Sequence, residues 1–434
     1  MNTRVAIVGS GIAGLSAAHH LRNHADVTLF EAHGHFGGHA HTVDVCLPGP
    51  RGLCEFGVDT GFLVFNERTY PGLIALFQTL GVRTAPSDMS FSVQAPWGSQ
   101  GQRVEWNGAN LDSVFAQRRN LLRPRFWWLL KDILRFNRLC TDLARSYNDG
   151  ALMQPLQTFL DQHGFGATFR DTYLLPMLGC IWSCPTEQML SFPAATMVRF
   201  CDNHGLLQVN DRPRWFTVHG GSKHYVDAIV AQVPQKHLHT PVQRIERQAD
   251  SVVLYTPQGS QTFDEVILAC HSDQALRMLA QPSETETELL SAIRFQDNLA
   301  VLHTDVRCMP ERQLAWAAWN YERAQQGDKE SAHVCLHYWL NRLQPLPFAQ
   351  DVFVSLNPLT DIDPSKIQGQ FHYAHPVFDL AAIQAQRRMG QLQGQQHTWF
   401  AGAWMGYGFH EDGYKAGRAA AQAILQGIMQ QEAA

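Results

Sequence analysis

Long apolar runs are absent from this 434-residue chain. No stretch approaches the roughly 20 consecutive apolar residues of a bilayer-spanning helix. Charge is sparse as well: 17% of residues are charged and the formal net charge is −5, a balance that points away from a nucleic-acid partner. Cysteine is scattered. Nine residues, at 46, 54, 140, 180, 184, 201, 270, 308 and 335, form an odd set, and the one close pair, Cys180 and Cys184, lacks a second pair at zinc spacing. Reduced, mostly buried thiols are the expectation. The chain enters an apolar strand at Arg4–Val8 without a separate basic region, apolar stretch and small-residue cleavage site, so a cytoplasmic location is expected. Repeats, low-complexity tracts and flexible linkers are missing too. What is present is apolar material, 45% of a length that exceeds one ordinary core, which makes two domains the default.

The most informative stretch is "VAIVGSGIAGLSAAHHL", Val5 to Leu21. An apolar strand leads into Gly9-Ser10-Gly11-Ile12-Ala13-Gly14, then a helical pattern, then a second strand, Val27–Phe30, that ends in Glu31. Gly9 permits the tight turn, Gly11 lets backbone approach a pyrophosphate, and Gly14 lets helix and strand pack closely. The helix N-terminus supplies N–H donors and dipole to the anion. Glu31 stands where a carboxylate accepts both ribose hydroxyls. These parts in register predict a dinucleotide site, and NAD and FAD both use such a unit.

Other segments narrow the choice. "HFGGHAHT" brings a second glycine loop, Gly37-Gly38, close to a cofactor. "TWFAGAWMGYGFHEDGYKAGRAAAQAIL" reads as a strand at Trp399–Ala401, a glycine turn, and a helix from about Asp412, where the N–H groups of Asp412 and Gly413 could face a ring carbonyl. Between them, Val242–Ile245, Val252–Tyr255 and Val266–Ala269 read as strands. With "GGSKHYVDAI" and "VILAC", these segments follow the order of the flavin amine oxidase and phytoene desaturase superfamily, which the chain resembles over nearly its whole length. "GVDTGFLVFNERTYP", "PSDMSFSV", "FAQRRNLLRPRFW", "IWSCP", "HGLLQVNDRPRW" and "GYGFHEDG" further resemble the flavin domain fused ahead of plant cyclopropane fatty acid synthases and its free-standing bacterial relatives.

The resemblance implies an α/β fold with a Rossmann-type FAD-binding domain, glutathione reductase-like and of amine oxidase type, interleaved with an α+β substrate domain. The cofactor domain would comprise residues 1–75, 205–275 and 395–434, and the substrate domain 76–204 and 276–394. FAD would lie along Gly9, Ser10, Gly11, Ala13 and Gly14 at its pyrophosphate. Glu31 and Ala32 would stand at the adenosine ribose, and Val242 would meet the adenine through its backbone. Gly402, Ala403, Asp412 and Gly413 would hold the ribityl and ring end, with Gly37, Gly38, His39, Thr60 and Gly61 completing the cradle. The chain departs from many relatives at His35, where they carry arginine, and at Ala403, where they carry an acid.

Four histidines within nine residues, His33, His35, His39 and His41, sit on the flavin loop with no cysteine or carboxylate ligand nearby, so cofactor-lining imidazoles suffice and no metal is expected. In amine-oxidising relatives a lysine reaches flavin N5 through a water and two aromatic rings cage the amine. Here the matching strand, "NLAVLHTDV", carries His303, and the second cage position is Phe409. His303 is therefore either a group that positions water or takes a proton near N5, or a core histidine. Trp182 and Ser183, with Tyr407 and Phe409, are candidates to line an acyl tunnel. From Arg118 to Arg138, seven basic residues interleave with Phe126, Trp127, Trp128, Leu130, Ile133 and Leu134, and after Pro124 the spacing suits an amphipathic helix. It reads either as a contact with the inner membrane face or as a packed helix with a solvated basic edge.

The expected function is an FAD-dependent oxidoreductase that dehydrogenates modified, methyl-branched or cyclopropane-related, fatty acyl chains of phospholipids. Two rivals stand beside it. One is an oxidase of small amines, and the other is a non-catalytic FAD-binding partner of a lipid methyltransferase.

Overall fold

The computed structural model describes residues 2–97, 102–145, 152–183, 186–208, 212–323 and 334–432. Cys184 of the close cysteine pair lies outside the described residues, as do 209–211 of "HGLLQVNDRPRW".

Arg4–Val8 is the central strand of a five-stranded parallel sheet, ordered Gln235–His237, Asp26–Phe30, Arg4–Val8, Glu265–Leu268 and Thr398–Phe400. Val5 to Val8 are all buried, as a parallel sheet covered on both faces requires. Val5, Ile7, Leu29 and Ile267 face the helices Ile12–Leu21 and His410–Glu432. Ala6, Val8, Val266 and Leu268 face an antiparallel meander and the helices Ser272–Met278, Glu284–Ser291 and Leu380–Arg388. Of the three strands expected between 242 and 269, one joins the parallel sheet. The other two, observed as Arg244–Arg247 and Val252–Thr256, pair antiparallel with each other. Apolar packing carries the cofactor-side body on to Ile293 and re-enters it at Ala382, past the limits at 275 and 395 drawn from the sequence.

The second body is built on a seven-stranded mixed sheet, ordered Ile367–Val377, Arg294–His303, Phe353–Leu356, Cys335–Trp339, Trp319–Glu322, Phe91–Pro96 and Arg103–Asn107. Its two faces differ because side chains alternate along a strand. Val93, Val104, Tyr321, Leu336, Val354 and Leu302 point into the main apolar core, which the helices Leu175–Trp182 and Ala194–Asn203 complete. The opposite face is also buried, yet it carries Ser92, Gln94, Asn320, Glu322, His337, Ser355 and His303. A helix over Pro124–Arg145 starts at the proline, whose missing N–H has no partner to lose in a first turn. Among the described residues, no helix is long and apolar enough to cross a membrane.

Candidate cofactor and substrate site

The parallel strands all end at one edge, and the chain segments leaving them line a single cavity of about 1760 Å³. Ligands of such sheets bind at this edge. Gly9 turns there with φ +102°, and a Cβ at Gly14 would fall 1.9 Å from the Gly9 carbonyl oxygen, so the first helix can sit on the turn only without a side chain. At Gly11 a Cβ would meet nothing within 4 Å: its open side is the cavity. That bare backbone at the N-cap of the helix Ile12–Leu21 is the cradle a pyrophosphate fits.

Glu31 is 6% exposed and oriented by the turn itself. Its Oε2 accepts from Ser10 N–H (3.0 Å) and Ser10 Oγ–H (2.5 Å), and its Oε1 from His33 N–H (2.9 Å). Three of roughly four acceptor sites on the carboxylate are thus used within the protein, which fixes its orientation at the cavity wall. Ser10, Ala13, Ala32, Gly37, Gly38, His39, Gly61, Val242, Gly402 and Ala403 line the same cavity. Buried Asp59 knits the neighbouring motifs together: it accepts from Ser222 N–H and Oγ–H, Thr42 Oγ–H and Gln344 Nε2–H, and burial pushes its carboxyl up to about 6.

The four loop histidines divide. His33, His35 and His41 stack in a row, with centroids of the last pair 4.1 Å apart. Gly37 and Gly38, both at positive φ, break the extended register and turn His39 inward, beside Tyr373 and His375. Burial holds these rings neutral: it lowers His41 and His375 to about 4, His410 to about 3, and His39 well below its ordinary value. His39 Nε2 is buried without a partner among the described residues, a polar atom left for a ligand.

Several expected residues stand elsewhere, each for a physical reason. The C-terminal helix starts at His410, so Asp412 and Gly413 lie inside its first turn, and both N–H groups go to the Phe409 carbonyl (3.0 and 3.1 Å). Neither is available to a ring carbonyl. Asp412 instead accepts from the Tyr407 and Phe409 N–H groups, and Gly413 packs on Ile12, 2.7 Å from where its Cβ would be. Thr60 is a positioning residue, bonded to the Tyr373 hydroxyl at 2.6 Å. Ser183 and Phe409 line the cavity, whereas Trp182 and Tyr407 form the layer behind. Trp182 Nε1–H donates to the Tyr407 carbonyl at 3.2 Å, and its ring packs on Phe200.

His303 is corrected most. It is fully buried at the far end of Arg294–His303, whose other end supplies Arg294, Phe295 and Asp297 to the cavity. The lining follows the paired strand only as far as Gln370, the partner of Val301, and stops short of Ile367, the partner of His303. The ring also points to the sheet face opposite the core. Nδ1 accepts Asp305 N–H (3.0 Å), Nε2 lies 2.7 Å from Ser355 Oγ, and burial lowers it to about 4. The sequence reading missed the residues that do stand in the cavity: Phe371, Tyr373 and His375 on one strand, and His271 just past another. The first three alternate in "FHYAH", a period-2 signal that was there to use.

The cavity continues away from the glycine turns between Met89, Phe91, Met177, Ile181, Phe200, Leu206 and Trp319. Solved structures share this architecture. A fatty acid isomerase from P. acnes that produces CLA superposes with a TM-score of 0.66 at 17% identity, over 97% of this chain and 98% of that one. Cyclohexylamine oxidase from Brevibacterium oxydans IH-35A gives 0.69 at 16% identity, over 99% and 100%. Putrescine oxidase bound to putrescine gives 0.69 at 16%, over 98% and 99%. At such identities the likeness is one of fold. No curated protein matches the chain in sequence. The sequence model of flavin containing amine oxidoreductases matches residues 12–314, more than half of the chain. The protein therefore belongs to the flavin containing amine oxidoreductase family, as an oxidoreductase whose cofactor is FAD.

Proposed function

We propose that this flavoprotein dehydrogenates fatty acyl chains, taken as phospholipid esters, at an unactivated or allylic carbon. The observation that carries the reading is the far wall of the cavity. Met89, Phe91, Met177, Ile181, Phe200, Leu206 and Trp319 offer an apolar, aromatic lining with no carboxylate among them. Such a wall gains by burying methylenes, at about 0.8 kcal/mol each, and gives a protonated amine no counter-charge. The structural likeness to a fatty acid isomerase supports the same substrate class.

When bound, FAD supplies a two-electron acceptor for hydride. The chain supplies the rest. Gly11 and the helix N-terminus would hold the anionic end, and Glu31, with one acceptor position left free by Ser10 and His33, would take a ribose hydroxyl. Phe409, stacked on Phe200 with centroids 4.9 Å apart, confines the acyl chain and keeps water out. His39 Nε2, buried without a partner among the described residues, is a polar atom the cavity offers to the bound cofactor.

Delivery from a bilayer is part of the proposal. Leu111, Leu121, Leu122, Trp127, Trp128 and Leu134 are all exposed, Leu122 by 87%, within one 24-residue segment that also carries the arginines. Its helix packs on Ala194–Asn203, which gives Phe200 to the cavity wall. Anaerobic mixing with acyl phospholipids tests the substrate: bleaching of the flavin, with a new double bond in the recovered lipid, is expected. Bleaching by cyclohexylamine or putrescine and not by lipid would instead make the protein an amine oxidase. Bleaching by neither would support an FAD-binding partner of a lipid methyltransferase.

A further inference from the structure

The cavity uses one face of the seven-stranded sheet. The other face is closed over by residues 305–318 and holds polar side chains in a buried layer, an arrangement that costs free energy unless each group is satisfied. Three of these side chains converge. Glu322 and Cys335 stand directly opposite in the antiparallel pair, and His337 lies two residues beyond Cys335 on the same face. All three are buried, and their donor atoms form a small triangle: His337 Nε2 to Glu322 Oε2 3.2 Å, Cys335 Sγ to His337 Nε2 3.5 Å, and Cys335 Sγ to Glu322 Oε2 3.9 Å.

Those edges, 3.2–3.9 Å, bracket the separations a tetrahedral ion imposes, so only small side-chain shifts would close the site around one. With Zn–S near 2.3 Å, Zn–N near 2.0–2.1 Å and Zn–O near 2.0–2.2 Å, donors on a tetrahedron lie about 3.4–3.6 Å apart. We propose that Glu322, Cys335 and His337 bind one zinc ion between the strands Trp319–Glu322 and Cys335–Trp339, outside the flavin site. Among the described residues, this is the group of histidine, cysteine and carboxylate donors placed to hold an ion.

The surrounding groups orient the ligands as a metal site requires. Arg103 donates to Glu322 Oε1 at 2.9 Å, which leaves Oε2 for the ion. His337 Nδ1 lies 2.6 Å from Ser355 Oγ, so a proton on Nδ1 frees Nε2 for the metal. His303 meets the same hydroxyl from its other side, and two lone pairs on that oxygen can accept from both imidazoles. Binding replaces the Cys335 S–H bond by S–Zn and releases the proton to solvent; the thiolate and the carboxylate then balance the two charges of the ion. No oxidation state changes. The sequence hid this site because Cys335 and His337 are a bare pair on one strand and the third ligand, Glu322, comes from the strand paired with it.

Metal analysis of the full-length flavoprotein, grown with zinc, decides the matter. About one zinc per chain is expected, with Cys335→Ser and His337→Asn losing it while FAD content stays as in the parent. Ser355→Ala should weaken zinc affinity roughly tenfold, as loss of an outer-shell partner does. Should the ligand variants fail to fold, the unaltered protein still decides. Exchanged with cobalt(II), it should show the ligand-field bands of a tetrahedral thiolate site at wavelengths beyond the flavin. Background zinc together with no cobalt bands at saturating cobalt would overturn the proposal, as would full zinc retention in folded Cys335→Ser.

Discussion

Adding a methyl group at either of two glycines, three residues apart, should have opposite consequences. At Gly14 a Cβ would fall 1.9 Å from the Gly9 carbonyl oxygen and 3.1 Å from its carbon, both backbone atoms that cannot rotate away. Alanine gains about 1 kcal/mol of helix propensity over glycine. Against this, overpacking of a rigid contact costs about 1–3 kcal/mol or more, and here the helix must lift off the strand to relieve it. Gly14→Ala should therefore lower the stability of the protein even without cofactor. At Gly11 the new methyl meets nothing within 4 Å, and the backbone is extended (φ −62°, ψ 175°), a conformation alanine adopts freely. Its cost in the apoprotein is that of a poorer N-cap, about 0.5–1 kcal/mol. With FAD the order reverses, because the methyl occupies the space where a pyrophosphate approaches the backbone. Losing one hydrogen bond to a charged group costs about 1.5–3 kcal/mol, or roughly 10- to 150-fold in Kd. Denaturant melts of apoprotein and fluorescence titration of FAD measure the two quantities separately. Unchanged FAD affinity in Gly11→Ala would refute the placement of the pyrophosphate at this turn.

Glu31→Ala should weaken FAD retention by roughly 1.5–3 kcal/mol. It should also destabilise the apoprotein, since the N–H groups of Ser10 and His33 lose their acceptor, so both titration and melting should change. His303→Ala should lower the melting point by leaving a void and orphaning Asp305 N–H, and leave substrate-driven flavin reduction in the folded protein at the parent rate; a reduction rate slowed roughly 10²-fold would return His303 to the chemistry. Replacing Leu122, Trp127 and Trp128 by serine, or Arg119, Arg123 and Arg125 by glutamine, should weaken binding to anionic vesicles, the charge effect alone being reduced at high salt; parent protein that ignores such vesicles at low salt would remove the bilayer from the proposal. Apoprotein stability should fall on acidification. His410 is lowered to about 3 and His19, His41, His204, His303 and His375 to about 4 from 6.5, so between those values the unfolded chain binds more protons, at about 1.4 kcal/mol per pH unit for each of the deeply buried His204, His303, His375 and His410 and less for His19 and His41, which solvent screens. Asp59 and Asp412, raised to about 6 from 3.8, act in the opposite sense as pH falls below 6, yet they are two against six. A melting point that rises from pH 7 to pH 5 would contradict this balance.

Local order was determined by the sequence itself. The run Val5–Val8, the three glycines and Glu31 lie within one chain segment, and their spacing alone dictates strand, turn, helix and acid. Pro124 likewise marks the start of its helix because a proline is acceptable there and not a turn later. The glycines at 37 and 38 announced a close approach for the same local reason. What tertiary structure decided was parity and depth. His303 sits among apolar neighbours that look equivalent in one dimension, yet strand pairing gives Ala300 and Leu302 to the core face and His303 to the other. One residue of offset would have reversed all three. Ser183 reaches the cavity and adjacent Trp182 does not, since the helix Leu175–Trp182 ends between them and Ser183 takes φ +50°. The N–H groups of Asp412 and Gly413 went to Phe409 because the helix begins two residues earlier than its pattern suggested. The triangle of Glu322, Cys335 and His337 closes only through the register of two antiparallel strands: Cys335 and His337 are neighbours on one strand, but what brings Glu322 to them is set by the packing of the whole sheet.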